Sequence, residues 1–256
     1  MVNKKKILIV FIYIVCSIGI LIVLNFLPTW KLQTKNMTKV EGEWVDVYYE
    51  SEEEAALDVF KLANKETANI AKRLGISEKQ DVKIYIYDNQ IEMQRKKYGF
   101  IAPLLGLDWY IGDNIGTDVI LISPANPGKV HSYDENKAAV LHEIVHAYIS
   151  SQNPDINLWL TEGTALYLTN GEEFYKEYLD SMEIPSYSDT KTSNPVYFSK
   201  CGGYLFSRTY IEYLDKTYGW NKVCKLIRTE DYKNIFDKND KEIYTEWINY
   251  LNNYYQ

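Results

Sequence analysis

A nearly continuous apolar run close to the N-terminus is the strongest hydrophobic feature of this chain. It covers residues 7–27, and as a helix it would extend about 31 Å, which matches the hydrocarbon core of a bilayer. Lysines at positions 4–6 precede the run, and such a cluster favours the cytoplasmic side of a membrane. The pattern predicts a cytoplasmic tail over residues 1–6, a transmembrane helix over 7–27 and an extracellular location for the rest of the chain.

A cleaved signal peptide is the alternative interpretation of the same run. The run is longer than the apolar core of an ordinary signal peptide, and residues 25–30 contain no pattern of small residues that would mark a cleavage site. We therefore expect a single-pass protein of the cell membrane with an uncleaved anchor. Residues 28–40 are polar and lack periodicity, so they are predicted to form a short tether to a domain over residues 41–256.

Three later segments have the short apolar or alternating pattern of β-strands. They lie at residues 44–49, 82–87 and 118–122. A long amphipathic helix is predicted between the first two, from a capping box of Ser51 and Glu54 to Gly75. A shorter helix is predicted over residues 89–98.

Helical patterns occupy almost all of the chain that follows a second capping box, formed by Ser132 and Glu135. Gly171, Pro195 and Gly219 interrupt these patterns. A chain of 256 residues that is 46% hydrophobic and 25% charged is long enough to bury a full core. We expect an α+β fold with a small N-terminal sheet, a mostly helical C-terminal half and one preceding transmembrane helix.

The charge balance argues against two classes of partner. The chain has 28 basic and 35 acidic residues, and the lysines at positions 4–6 lie on the cytoplasmic side of the predicted span. The extracellular part is therefore more acidic than the chain as a whole. Such a surface does not favour binding to nucleic acid, nor docking to anionic lipid through a basic patch.

The most informative short motif is H-E-x-x-H at positions 142–146. His142 and His146 are four positions apart and thus one turn apart on the same helix face, so both imidazoles can reach one metal ion. Glu143 is offset around the helix and points towards the position that a catalytic zinc keeps open for water, where a carboxylate can act as general base. The alternative is a pair of core histidines bonded to backbone carbonyl groups.

A second acidic residue strengthens the metal interpretation. Glu162 lies in an apolar segment over residues 158–168 that is predicted to be a packed helix, and a carboxylate on a buried helix needs a partner. The chain has three histidines in all, and two of them fall in the motif. Three protein ligands and a water make a catalytic zinc site, so Glu162 is a candidate to join the two histidines at one Zn²⁺ ion.

Together, H-E-x-x-H and the sequence W-L-x-E-G-x-A at positions 159–165 resemble the gluzincin zinc metallopeptidases, specifically their compact peptidase-MA-like members. The resemblance implies a zincin-like domain from about residue 44 to a closing segment at 246–251. It also implies His142, His146 and Glu162 as zinc ligands and Glu143 as general base. The expected activity is hydrolysis of peptide bonds by water, without a covalent acyl-enzyme.

The resemblance extends to a tyrosine beyond the third ligand. Family members of this kind carry a tyrosine followed by a small residue, an aromatic residue, a leucine and Tyr-Gly, and the segment from Tyr204 to Gly219 has that spacing. The resemblance implies that Tyr204 donates a hydrogen bond to the developing oxyanion. Tyr197, which lies nearby in the chain, is the second candidate for this hydrogen-bond donor. The alternative for either tyrosine is that its side chain only packs in the core.

Two departures from the family pattern bear on which branch of the gluzincins the chain resembles and on the kind of substrate. Leu166 stands where thermolysin-like members place an acidic partner for the ligands, so the group that orients the imidazoles is left open. The aminopeptidase branch has a longer interval between the second histidine and the third ligand, and it holds the substrate amine with a strand glutamate. The strand here offers only Asp118, so an endopeptidase is favoured. Residues 119–122 are expected to be an edge strand that pairs with the substrate.

A function of a different class is compatible with the same residues. A membrane-tethered binding protein could retain the zinc as a structural or vestigial element without hydrolysing anything. Glu143 favours the enzyme, because a structural site has no use for a base beside an open coordination position. A membrane-proximal protein as substrate is compatible with the short tether.

Two cysteines and the third histidine have less specific interpretations. Cys201 and Cys224 would both lie outside the cell, where a disulfide can persist, but their positions do not decide between a pair and free thiols. His131 lies in a loop before the motif helix and is expected to be a solvated residue outside the site.

Overall fold

A mixed five-stranded sheet and eleven α-helices form the part of the chain that the computed structural model describes, namely residues 4–169, 171 and 174–255. The strands are β1 Thr38–Glu41, β2 Val45–Tyr49, β3 Val82–Tyr87, β4 Gly112–Ile115 and β5 Asp118–Ile122. The helices are α1 Lys4–Asn25, α2 Glu53–Arg73, α3 Gln90–Tyr98, α4 Tyr133–Gln152, α5 Leu158–Leu168, α6 Lys176–Ser181, α7 Pro195–Lys200, α8 Gly203–Tyr218, α9 Trp220–Thr229, α10 Tyr232–Phe236 and α11 Asp240–Tyr254. Short 3-10 helices cover Leu27–Trp30, Gly99–Leu104 and Asp189–Lys191. The α+β class is confirmed.

The strands are arranged in the order β1-β2-β3-β5-β4. The three inner strands β2, β3 and β5 are parallel, and β1 and β4 pair antiparallel at the two edges. α2 connects β2 to β3, as the crossover between parallel strands requires. The sequence pattern predicts the inner strands but neither edge strand, because β1 and β4 are short and lack fully buried residues.

Side chains of the sheet alternate between two apolar cores. In β3, Ile84 and Ile86 face a large core shared with α2, α4 and the C-terminal helices. Tyr85 and Tyr87 face a smaller core on the other side of the sheet, which includes Met93 of α3. The sheet is therefore covered on both faces, and the large core lies on the side of the helix that carries the histidines.

Helix α4 is buried over most of its circumference. The sequence predicts a single apolar face around His142 and His146, yet Val140, Ile144 and Tyr148 are also fully buried. The reason is that α2, the sheet and α5 all pack against α4. Contacts on several sides therefore fix the position of the histidines.

The two predicted capping boxes have different outcomes. The box of Ser132 and Glu135 is present at the start of α4. The predicted box at Ser51 is absent, because α2 begins at Glu53 without a side-chain cap and the Ser51 hydroxyl donates instead to Asp88. The Ser51 amide also donates to Asp88, at 3.1 Å. A tertiary contact to the end of β3 thus takes the place of the local cap.

The N-terminal apolar run forms α1, a helix of 22 residues without a buried side chain. Its length and hydropathy are sufficient for it to cross a membrane. The helix begins at Lys4, so the lysine cluster is its first turn, and residues 1–3 of the predicted tail lie outside the described residues.

Residues 28–40 do not form the free tether that the sequence predicts. Thr38 to Val40 pair with β2 as part of β1, and Met37 is buried in the smaller core. The Leu32 carbonyl oxygen accepts a hydrogen bond from the Tyr87 hydroxyl at 2.6 Å. These contacts, which an aperiodic sequence does not reveal, hold the segment against the domain.

Candidate metal centre

Helix α4 places the two motif histidines side by side. Their Nε2 atoms lie 2.9 Å apart, and the two ring planes are inclined by 80°. The capping box at Ser132 sets the start of this helix, and the spacing of four residues then aligns the imidazoles by helix geometry alone. The structure thus brings His142 and His146 together as the sequence predicts.

Helix α5 supplies the third candidate ligand, Glu162. Glu162 Oε2 lies 3.2 Å from His142 Nε2 and 3.5 Å from His146 Nε2. Gly163 allows α5 to lie close to α8, because a Cβ atom at this position would overlap the carbonyl oxygen of Ser207. Trp159 anchors the same helix through ring contacts with Phe198, Tyr210 and Trp247.

The three groups fit a tetrahedral metal ion. Zinc ligands lie about 2.0–2.2 Å from the ion, so neighbouring donor atoms of a tetrahedral site are about 3.3–3.6 Å apart. The separations among His142, His146 and Glu162 are 2.9, 3.2 and 3.5 Å, which needs shifts of only a few tenths of an ångström. Two imidazoles and one carboxylate are also the donor types of a catalytic zinc.

The electrostatics of the site keep Glu162 ionised. Burial by itself would raise the pKa of this carboxyl group, but the imidazoles of His146 and His142 lower it well below its usual range. A metal ligand must be deprotonated, so Glu162 is already in the form that binds a cation.

The structure answers which group orients His146. The Nδ1 atom of His146 lies 2.8 Å from the Thr161 hydroxyl oxygen. An imidazole that binds metal through Nε2 carries its proton on Nδ1, so it donates this proton to Thr161. The sequence reasoning missed Thr161, although its place immediately before the third ligand was a usable signal.

Glu143 is buried beside the ligand cluster and makes no hydrogen bond to any described residue. Burial raises the pKa of Glu143 to about 8. Among the charged neighbours, His142 and Lys97 act to lower this pKa, whereas Asp113 and Glu162 act to raise it. The carboxylate oxygens of Glu143 are not among the side-chain oxygens that are sealed from solvent without a partner, and a pKa near neutrality suits a group that both takes and returns a proton.

The edge strand nearest to Glu143 is β4, and the prediction that residues 119–122 form an edge is wrong. β5 pairs with β3 on one side and with β4 on the other. Gly112 of β4 lies against Glu143, because a Cβ atom there would be 3.2 Å from Glu143 Cγ. Within the described chain, no strand pairs with the outer edge of β4.

Asp113 is a second acid on these strands that the sequence reasoning missed. Successive strand residues face opposite sides, so Asp113 points away from α4 while Gly112 points towards it. Asp113 forms an ion pair of 2.9 Å with Lys97 and accepts a hydrogen bond from Tyr110. Its carboxylate is therefore engaged on the far face of the sheet and does not line the metal site.

The two candidate tyrosines have different surroundings. Burial raises the pKa of Tyr204, and the negative charges of Glu162 and Glu143 raise it further. The phenol therefore interacts electrostatically with these two carboxylates. Its ring packs edge-on against Phe198 at 4.9 Å. Tyr197 is half exposed, and its hydroxyl donates to Asp189 at 2.7 Å. Tyr204 is thus the better placed of the two.

The remaining candidates lie outside the cluster. Cys201 and Cys224 are both free thiols, and they donate separately to the carbonyl oxygens of Phe198 and Arg73. His131 Nε2 lies 2.9 Å from the carbonyl oxygen of Trp109. Among the described residues, His142, His146 and Glu162 form the group that could hold a metal ion.

Comparisons with known proteins identify no relative. The chain matches no protein-family model, no curated protein and no solved structure.

Proposed function

We propose that this protein is a membrane-anchored zinc metallopeptidase with a zincin-like domain of the gluzincin type. The observation that carries the proposal is the convergence of His142 Nε2, His146 Nε2 and Glu162 Oε2 within 3.5 Å of one another. Glu143, a buried carboxyl group without a hydrogen-bond partner in the described chain, accompanies them. A structural metal site would leave this carboxyl group without a role.

The side chains have distinct tasks in the proposed reaction. A zinc ion held by His142, His146 and Glu162 would lower the pKa of a water molecule and polarise the scissile carbonyl group. Glu143 accepts the proton of the attacking water and then delivers it to the leaving amine. Tyr204 donates its hydroxyl proton in a hydrogen bond to the oxyanion, and burial keeps this phenol protonated by raising its pKa.

The free edge of β4 supports an extended peptide as substrate. Its residues are partly exposed, and an extended chain can add to such an edge through backbone hydrogen bonds. The Asn114 carbonyl oxygen accepts from Lys97 Nζ at 3.2 Å, so a substrate chain would pair first at Gly112. Gly112 would bring that chain close to Glu143. Asp113 faces the opposite side and is paired with Lys97, so it is not placed to hold a substrate amine, and an endopeptidase is favoured.

The apolar helix α1 supports a location in the cell membrane. The proposed topology has the N-terminus in the cytoplasm, because the lysines at positions 4–6 precede the span. The domain after α1 then lies outside the cell.

The test uses the full-length protein in phosphatidylcholine nanodiscs. Zinc content is measured first, and a diverse peptide library is then digested and analysed by mass spectrometry. We expect one zinc per chain and cleavage within peptides. Glu143→Gln should retain the zinc and lower kcat/KM by at least about 10²-fold. Glu78→Gln, the same change at an exposed position, is the matched control and should leave both unchanged.

The alternative is a binding protein that keeps a zinc ion without hydrolysis. One zinc per chain, no cleavage of any peptide and identical behaviour of the wild type and Glu143→Gln would establish that alternative and reject the peptidase. Absence of metal from protein prepared with zinc present would reject both.

A further inference from the structure

An exposed apolar surface surrounds the point at which α1 meets the domain. The 3-10 helix Gly99–Leu104 contacts both α1 and the 3-10 helix Leu27–Trp30. Large hydrophobic side chains of the two 3-10 helices, of Phe26 before the one and of Leu105 after the other, are exposed by 41% to 85%. We call them the apolar collar: Phe26, Leu27, Trp30, Phe100, Ile101, Leu104 and Leu105. A cluster of this kind marks a surface that another apolar phase covers.

Asn25 joins α1 rigidly to the domain. Its Nδ2 donates to the Tyr98 carbonyl oxygen at 3.2 Å, and its Oδ1 accepts from the Ile101 amide at 3.0 Å. Gly99 has a φ of +74°, and a Cβ atom there would overlap the carbonyl oxygen of Asn25. The collar therefore keeps a fixed position relative to the last turn of the apolar helix.

The bilayer is the occupant that this continuity favours. If α1 crosses the membrane, Asn25 lies at its outer boundary, and the collar begins within one residue of that boundary. Trp30 is 71% exposed, and tryptophan is enriched at the level of the lipid headgroups. The domain is acidic outside the span, so apolar insertion rather than charge attraction would hold it there.

We propose that the apolar collar inserts into the outer interfacial layer of the membrane that α1 spans. The domain then lies on the bilayer surface in one orientation and does not swing on a tether. This proposal depends on α1 being a membrane anchor and is independent of the peptidase activity.

Spin labels in the full-length protein test the proposal. A nitroxide is attached at Leu104→Cys and, as a matched control, at Val196→Cys, which replaces an exposed residue of α7 outside the collar. Cys16 and Cys201 are changed to Ser, and protein without an introduced cysteine corrects for labelling of the buried Cys224. In phosphatidylcholine nanodiscs, oxygen and a water-soluble nickel complex each relax the nitroxide. The ratio of the oxygen effect to the nickel effect should be several-fold greater at position 104 than at position 196.

Equal accessibility at the two positions would overturn the proposal. Strong dipolar coupling between labels at position 104 of two chains would also overturn it, because a second copy would then cover the collar. Anionic lipid in the nanodisc should change neither accessibility, since the collar carries no charge.

The free edge strand has a second relationship to the membrane. β4 begins at Gly112 beside Glu143, and its far end leads to a cleft of about 540 Å³ that Ile115 and Gly116 line together with Phe26 and Thr29. Phe26 is the residue after α1, and Thr29 lies in the 3-10 helix that follows it. Four strand residues span about 13 Å. β4 therefore connects the C-terminal end of α1 with Glu143, the proposed base, over that distance.

This relationship carries an inference about substrates that rests on the proposed peptidase. We infer that the substrates are membrane-anchored polypeptides, which leave the bilayer beside Phe26 and pair with β4 in an extended form. The scissile bond would then lie a few residues from the membrane surface. Soluble peptides of the same sequence would reach the same strand only by free diffusion.

A comparison of tethered and free substrates tests this inference. A sequence that the enzyme cleaves is joined to a transmembrane helix through spacers of about 5, 10 and 20 residues and is placed in liposomes with the full-length protein. The free peptide at the same bulk concentration is the control. We expect the shortest spacer to be cleaved at least about tenfold faster than the free peptide, because tethering raises the effective concentration and β4 guides the chain.

The outcomes separate the two proposals. Cleavage of the free peptide at the rate of the tethered ones, or rates that rise as the spacer lengthens, would reject the membrane-proximal substrate and retain the peptidase. Failure to cleave any substrate, free or tethered, would reject the peptidase itself.

Discussion

Thr161 and His146 form the hydrogen bond that fixes one imidazole of the candidate metal centre. The Thr161 hydroxyl oxygen lies 2.8 Å from His146 Nδ1, on the side opposite to the Nε2 atom that faces Glu162. Thr161 is also the neighbour of Glu162 in the chain. One turn of α5 therefore orients a histidine and supplies a carboxylate to the same point.

The first prediction concerns this hydrogen bond. Thr161→Val keeps the shape of the side chain but removes the acceptor, so His146 loses its orientation and a buried N–H loses its partner. We expect zinc affinity to fall about 10–100-fold, as measured by competition with a fluorescent chelator. Thr161→Ser is the control and should retain affinity near that of the wild type. Unchanged affinity in Thr161→Val would show that Thr161 does not support the metal site.

The second prediction concerns the contact between β4 and Glu143, the proposed base. In Gly112→Ala the new methyl group would lie 3.1 Å from Leu121 Cδ1 and 3.2 Å from Glu143 Cγ, so Glu143 must move. We expect kcat to fall about tenfold while zinc content stays constant. Gly19→Ala adds the same methyl group in α1, where no atom lies within 4 Å. This control should change neither kcat nor the zinc content. Full activity of Gly112→Ala would place the reacting groups away from β4.

The third prediction concerns the release of zinc as the pH falls. Metal binding requires neutral imidazoles, so protons compete with zinc for His142 and His146 as the pH falls. The imidazoles of His146 and His142 lower the pKa of Glu162, so loss of zinc on acidification is not expected to begin at this carboxylate. Stability that zinc confers should therefore be present at neutral pH and lost on acidification. A titration from about pH 8 to about pH 5 should show release of zinc. Retention of zinc throughout would contradict the assigned ligands.

The fourth prediction concerns the aromatic support of α5. Trp159 is 2% exposed and contacts the rings of Phe198, Tyr210 and Trp247. Trp159→Ala should lower the free energy of unfolding by about 3–5 kcal/mol, measured by denaturant titration. It should also weaken zinc binding, because the helix that carries Glu162 loses its anchor. Val196→Ala, at an exposed position, should change stability by less than about 0.5 kcal/mol. A stable Trp159→Ala variant with normal zinc affinity would rule out this support.

Part of the candidate site could be predicted from local sequence because helix geometry fixes it. Residues four apart meet on one face wherever a helix forms, so the pairing of His142 with His146 needed no tertiary information. The apolar setting of Glu162 indicated a buried helix with an acid to satisfy. That this acid would reach the two imidazoles required the crossing of α4 and α5, which Gly163 and the aromatic cluster determine.

Other features could not be derived in the same way. The run at residues 118–122 predicts a strand, but the position of that strand in the sheet depends on the pairing of β4, whose polar residues give a weak local signal. The tether prediction is inaccurate for a related reason. The packing of Met37 and Leu32 against the sheet and the hydrogen bonds of Asn25 join residues far apart in the chain.

By itself the sequence determined the apolar helix α1, the inner strands, most helices and the spacing of the histidines, because each depends on neighbours within a few residues. Only the tertiary structure decided that Glu162 meets the histidines, that Thr161 orients one of them, that β4 rather than β5 is the edge strand beside Glu143 and that the collar adjoins α1. These are contacts between distant segments, and they follow from the packing of whole elements around the two cores.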